Sequence, residues 1–161
     1  MYNSRFKIKK QEEERYDIMV HFEGSGTGRF LTINLKRGEL LLESIESALQ
    51  EHGIKDAVIT SAIGSLQKVV FHRVTGLERE PVDEFLTLEA PMELASLQGI
   101  VVDGHPHFHM VVSSTKEVYT GHLEPGTTVL YLAEISLLEL KGAPLQRVKD
   151  EDNIAILCMK S

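Results

Sequence analysis

The sequence predicts an α+β fold, a mostly antiparallel β-sheet with one main amphipathic helix over residues 39–52. Three observations lead there. Alternating or continuously apolar runs recur along the chain, one segment alone carries clear helical periodicity, and the connections are short and rich in turn residues. With 161 residues, 42% of them hydrophobic and 25% charged, the chain can bury a core of its own.

The first fifteen residues are charged and expected to be loose, which leaves residues 16–161 as a single domain. Tyr16-Asp17-Ile18-Met19-Val20-His21-Phe22 alternates, with Ile18, Val20 and Phe22 on one face. Arg29-Phe30-Leu31-Thr32-Ile33-Asn34-Leu35 reads as its antiparallel partner. Between them, Glu23-Gly24-Ser25-Gly26-Thr27-Gly28 leads into a strand rather than a helix, so it reads as a hairpin tip and not a phosphate cradle. Leu41, Ile45, Ala48 and Leu49 recur at helical spacing, with Glu43, Glu46 and Gln50 facing outward. Glu39 suits the positive end of the helix dipole, and Gly53 after the solvated His52 supplies the stop.

Residues 57–66 form a buried-strand run broken by Gly64, and residues 67–74 form another strand, on which His72 reads as a lone, satisfied or exposed histidine. Beyond Pro81, residues 84–88 and 92–102 look extended. The strand of alternating histidines follows, then a turn at Ser114-Thr115-Lys116-Glu117 and a strand beginning Val118-Tyr119-Thr120. Glu124-Pro125-Gly126 places proline and glycine as a type II turn requires. A long apolar strand over 129–140 ends at Gly142-Ala143-Pro144. A polar segment through Asp152 then leads to the terminal strand Ile154-Ala155-Ile156-Leu157-Cys158-Met159.

Several function classes are disfavoured. Cys158 is the single cysteine, so neither an intrachain disulfide nor a thiolate-rich zinc site is available, and it reads as a small buried hydrophobe. The net charge is −7 and nothing beyond the first ten residues is densely basic, which argues against direct DNA binding. There is no twenty-residue apolar span and no apolar run behind the basic start, so neither a membrane anchor nor a signal peptide is expected and the location reads as cytoplasmic. No serine sits in a glycine-flanked nucleophile turn.

The chemistry concentrates in Gly104-His105-Pro106-His107-Phe108-His109-Met110-Val111-Val112, with His122 nearby in Gly121-His122-Leu123. On a strand, alternation puts His105, His107 and His109 on one face and Phe108, Met110 and Val112 on the other. Histidines two apart lie roughly 6–7 Å apart at Cβ, close enough for both rings to reach one ion. A hairpin tip near residues 114–117 would bring His122 back beside them as a third ligand. Zinc suits such a set, and nickel, copper and iron also accept imidazole. Three nitrogens leave a position open for water or substrate. Glu134 interrupts an apolar strand and is either a general base beside the ion or an exposed sheet residue.

Five short pieces, in order, resemble the plants-and-prokaryotes-conserved (PPC) domain: Leu35-Lys36-Arg37-Gly38-Glu39-Leu40-Leu41, Ala62-Ile63-Gly64-Ser65-Leu66, Pro106-His107-Phe108-His109, Gly121-His122-Leu123 and Ala133-Glu134-Ile135. The resemblance implies a homotrimer of α+β domains with a histidine metal site, usually zinc. The family's His-x-His falls on His107 and His109, and its Gly-His-Leu on His122. Thr120-Gly121 stands where the family commonly has Gly-Gly, and His105 is additional, a candidate fourth ligand or a flanking residue. Plant relatives carry AT-hook segments before a similar domain, and with them a DNA-binding label. No Arg-Gly-Arg-Pro hook occurs here.

The expectation is therefore a homotrimeric protein that binds zinc or another divalent transition metal through His107, His109 and His122. A non-catalytic regulatory or DNA-associated module is the alternative. A third reading is an organic-ligand pocket at a subunit interface, in which His105 and Arg29 or Arg37 hold an anion.

Overall fold

The computed structural model describes residues 20–142 and 144–160. Residues 1–19, including the charged segment over 1–15 and most of the strand expected at 16–22, lie outside them. The order is β1 (Gly26–Lys36), α1 (Leu41–Glu51), β2 (Ala57–Val74), β3 (Asp83–Val102), β4 (His105–Ser113), β5 (Val118–Leu123), β6 (Thr128–Lys141), β7 (Leu145–Lys149) and β8 (Ala155–Met159). An antiparallel six-stranded sheet runs β1-β6-β2-β3-β4-β5, and β7 and β8 form a separate hairpin. The α+β expectation holds.

The helix is local in origin. Leu41, Leu42, Ile45 and Leu49 bury one stripe, each contributing roughly 1.5–3 kcal/mol on leaving water. Its C-terminus closes as a Schellman motif: Gly53 N–H donates to Gln50 O, Ile54 N–H donates to Leu49 O, and Gly53 takes φ +62°. At the other end Leu40 offers no side-chain cap, and Glu43 in the first turn instead accepts from Gly126 N–H at 2.8 Å.

Several expectations give way to nonlocal pairing. β1 pairs with β6, and among the described residues before it, 20–25 form no strand. The glycine-rich link is partly β1 itself, with an irregular register between Thr27 and Phe30. β2 is one 18-residue strand, not two. A Cβ on Gly64 would meet Ala133 Cα at 2.6 Å, so this glycine admits a close backbone approach by β6 and does not end the strand. β3 likewise runs unbroken through Pro91, which sits beside a register shift in the β2–β3 ladder. The polar segment before Asp152 contains β7, and Cys158 on β8 is half-buried opposite Gln146, not a core residue.

β2 carries β6 along the first part of one edge and β5 further on, at Phe71↔Leu123 and His72↔His122. Strands β2, β3, β4 and β5 thus close on themselves around Phe71, Phe108, Met110 and Leu123, all buried. Asp103-Gly104 is the two-residue turn of the β3–β4 hairpin, both residues at positive φ as a type I′ turn demands. That turn sets the register that places Gly99 opposite Phe108. A Cβ on Gly99 would lie 2.0 Å from His107 O, and its φ is +139°. Gly99→Ala is therefore expected to cost roughly 2–4 kcal/mol, read from urea unfolding at fixed protein concentration.

Candidate metal centre

Two neighbouring strands assemble the three histidines. β4 supplies His107 and His109, β5 returns through the Ser114–Glu117 turn, and His122 then stands directly opposite His109. The turn is held by Ser114 Oγ, which accepts from Lys116 and Glu117 N–H. On the reverse of β4, Phe108, Met110 and Val112 are buried, so packing fixes the side that carries the imidazoles.

Nε2 of His107 lies 3.3 Å from Nε2 of His109, and one nitrogen from each of His107, His109 and His122 falls within 4.8 Å of the others. Two nitrogens each about 2.05 Å from one tetrahedral ion are about 3.3 Å apart, so the pair already has a zinc-like bite. Burial, followed by the neighbouring imidazoles of His72, His107 and His109, pushes His122 down to about 4. Burial, then the charge of Arg147, then His109 and His72, lowers His107. Both rings are thus held neutral at pH 7 with a lone pair to offer, and the donor set fits a divalent ion of intermediate softness.

That depression makes stability depend on pH. The unfolded His122 takes a proton near 6.5 and the folded one only near 4, so its contribution is complete above about pH 6.5 and lost as pH falls towards 4. Chelator-treated protein should weaken across that window in urea, and His122→Asn should flatten the slope. An unchanged slope would refute the assignment.

His72, read from the sequence as a lone strand histidine, belongs to the same cluster. Its ring stacks on His122 with centroids 4.5 Å apart, and its Nδ1 is 2.5 Å from Glu124 Oε1. His72, His122 and Glu124 form a second group able to hold an ion, sharing His122 with the first. No local pattern announces His72, because its neighbour is set by the β2–β5 register.

Other candidates lie elsewhere. His105 follows the hairpin turn and stands with Lys55 and the end of α1, outside both ligand groups. Glu134 is exposed on β6 between Asn34 and Ile63, and belongs to neither group. Within one chain, Arg29 is engaged by Glu139 and Arg37 lies over the Tyr131 ring at 5.8 Å. Beside His109 and His122 a cleft of about 470 Å³ opens where β2 and β5 splay, walled by Val74, Val111 and Val118.

Residues 22–141 match the family described as the Plants and Prokaryotes Conserved (PCC) domain, also abbreviated PPC. The chain belongs to the PCC domain family. The PCC domain contains β1 to β6, α1 and every histidine of the centre, and the β7–β8 hairpin lies beyond it. Among solved structures, a metal-containing protein from Archaeoglobus fulgidus is 31% identical, with a TM-score of 0.74, covering 88% of this chain and 100% of that one. A plant- and prokaryote-conserved protein from Pyrococcus horikoshii is 29% identical at TM-score 0.72, covering 89% and 99%. A hypothetical protein from Salmonella enterica is 25% identical at TM-score 0.73, covering 86% and 99%. No curated protein matches the chain. No helix among the described residues is long and apolar enough to cross a membrane.

Proposed function

We propose that this PCC-domain protein is a homotrimer that binds one divalent transition metal per chain, zinc foremost, through His107, His109 and His122. The 3.3 Å separation of the His107 and His109 nitrogens carries the reading, because it matches the bite of a tetrahedral ion. The related Archaeoglobus fulgidus structure, described as metal-containing, supports it. When bound, an ion on three nitrogens with one open position supplies Lewis-acid activation of water or a carbonyl. The chain's own residues hold that position in place. Phe108 and Met110 anchor β4 from behind, and Glu124 orients the His72 ring against His122.

Exposed apolar side chains on adjoining strands, among them Phe30, Ile63, Tyr131 and Leu132, support assembly into an oligomer. The charge of −7 argues against DNA as the partner. Elemental analysis of tag-free protein, combined with mass by light scattering, tests metal and trimer together. The expected result is about one ion per chain in a particle three chains in mass. Protein that stays metal-free after incubation with zinc would sink the metal reading, and a monomeric mass would sink the trimer.

A further inference from the structure

The two ladders that meet at His122 end at different points, and a cleft opens between them. β4 and β5 pair from His109↔His122 through Val111↔Thr120 to Ser113↔Val118. β2 meets β5 at Phe71↔Leu123 and His72↔His122, and the two strands then part. Alternation keeps Val111 on the face of His109, Thr120 on that of His122 and Val74 on that of His72. The imidazole row is therefore followed, roughly 6–7 Å along the strands, by a row of Val111, Thr120 and Val74. The cleft of about 470 Å³ is lined by both rows. Val74 is 67% exposed and Val111 36%, so their methyl groups are open to an occupant.

Most polar groups around this cleft already have partners. Arg73 is held by Glu84 at 2.9 Å, and the Tyr119 hydroxyl donates to Glu117. Gln98 Nε2 donates to Ser96 Oγ, and His72 Nδ1 meets Glu124. No carboxylate lines the cleft among the described residues. Charge balances too. A divalent ion on three imidazole nitrogens brings two positive charges, and Glu124 and Asp83, both facing His72, bring two negative ones. A charged ligand entering here would lose its water without gaining a counter-charge, whereas an apolar body gains from the valine walls.

We propose that this cleft takes an uncharged small molecule, its hydrocarbon body against Val74 and Val111 and one neutral oxygen or nitrogen turned to the ion at His109 and His122. The inference rests on the metal reading and adds the class of ligand. A volume of about 470 Å³ is in the range of small-molecule sites, which are mostly apolar with a few polar groups that fix orientation. Here the ligand histidines are those groups, and they occupy one end of the cleft only.

The test uses full-length, tag-free protein loaded with cobalt(II) and titrated with 4-phenylimidazole, imidazole and benzoate, at a pH where the azoles are uncharged. Binding is followed by the visible cobalt bands and by calorimetry. Phenylimidazole is expected to bind about 10- to 50-fold more tightly than imidazole, the gain from burying its phenyl ring, and more tightly than benzoate. Val111→Asn should weaken phenylimidazole about 5- to 10-fold, with imidazole affinity and cobalt content unchanged. Should Val111→Asn fail to fold, Val74→Asn, at the exposed end of β2, is read in its place with the same expected loss. Equal affinity for the two azoles overturns the apolar cleft, as does phenylimidazole affinity indifferent to the substitution. Tighter binding of benzoate overturns the assignment of an uncharged ligand. Wild type that takes up no cobalt overturns the metal reading, and this inference with it.

Discussion

His122→Ala protein is expected to emerge with under about a tenth of an ion per chain and an affinity for zinc lowered more than about 100-fold. Even partners that merely orient a ligand cost roughly 10–100-fold when lost, and a direct ligand costs more. His122 is the decisive position because both possible ligand groups contain it. His109→Ala separates the two. It empties the site if the ion sits with His107 and His109, and leaves it filled if the ion sits with His72 and Glu124. His105→Ala, outside both groups, should keep wild-type metal content. Elemental analysis and competition with a colorimetric chelator read all three, and retention of metal in both His109→Ala and His122→Ala would refute the centre.

Phe108→Ala should be the most damaging single change to the fold near the site, at about 3–5 kcal/mol. Phe108 is 1% exposed, among the largest fully buried side chains, and packs in the core enclosed by β2 to β5. Its neighbours in sequence are the two ligands themselves. The cavity therefore loosens the strand that spaces His107 and His109, and metal affinity should fall along with the urea midpoint. Because metal stabilises by binding the native state only, unfolding is compared in chelator first and with zinc second. A destabilisation under about 1 kcal/mol in chelator would show that Phe108 is not the anchor of β4.

Some of the fold was legible because its causes are local. The stripe Leu41, Ile45, Leu49 and the glycine after His52 specify α1 within one turn of its observed ends. Glu124-Pro125-Gly126 announces its turn, with Gly126 at φ +92° as expected. Asp103-Gly104 is an equally local signal, and it sets the register of the histidine strand. Gly64 and Pro91 misled for a physical reason. In a strand interior they mark a close approach and a bulge as readily as an end, and only the neighbouring strand decides which.

Sequence alone determined the α+β class, the amphipathic helix, and the two-faced strand that presents His107 and His109 over a core of Phe108 and Met110. It also brought His122 within one hairpin of them. These are consequences of periods of 3.6 and 2 and of turn chemistry, which act over a few residues. Tertiary structure alone decided that β1 pairs with β6, that His72 stacks on His122, and that His105 and Glu134 stand outside both ligand groups. Each of those depends on which strand edges meet after loops of tens of residues have closed. That choice is made by burial and backbone pairing summed over the whole sheet, and no short stretch of sequence contains it.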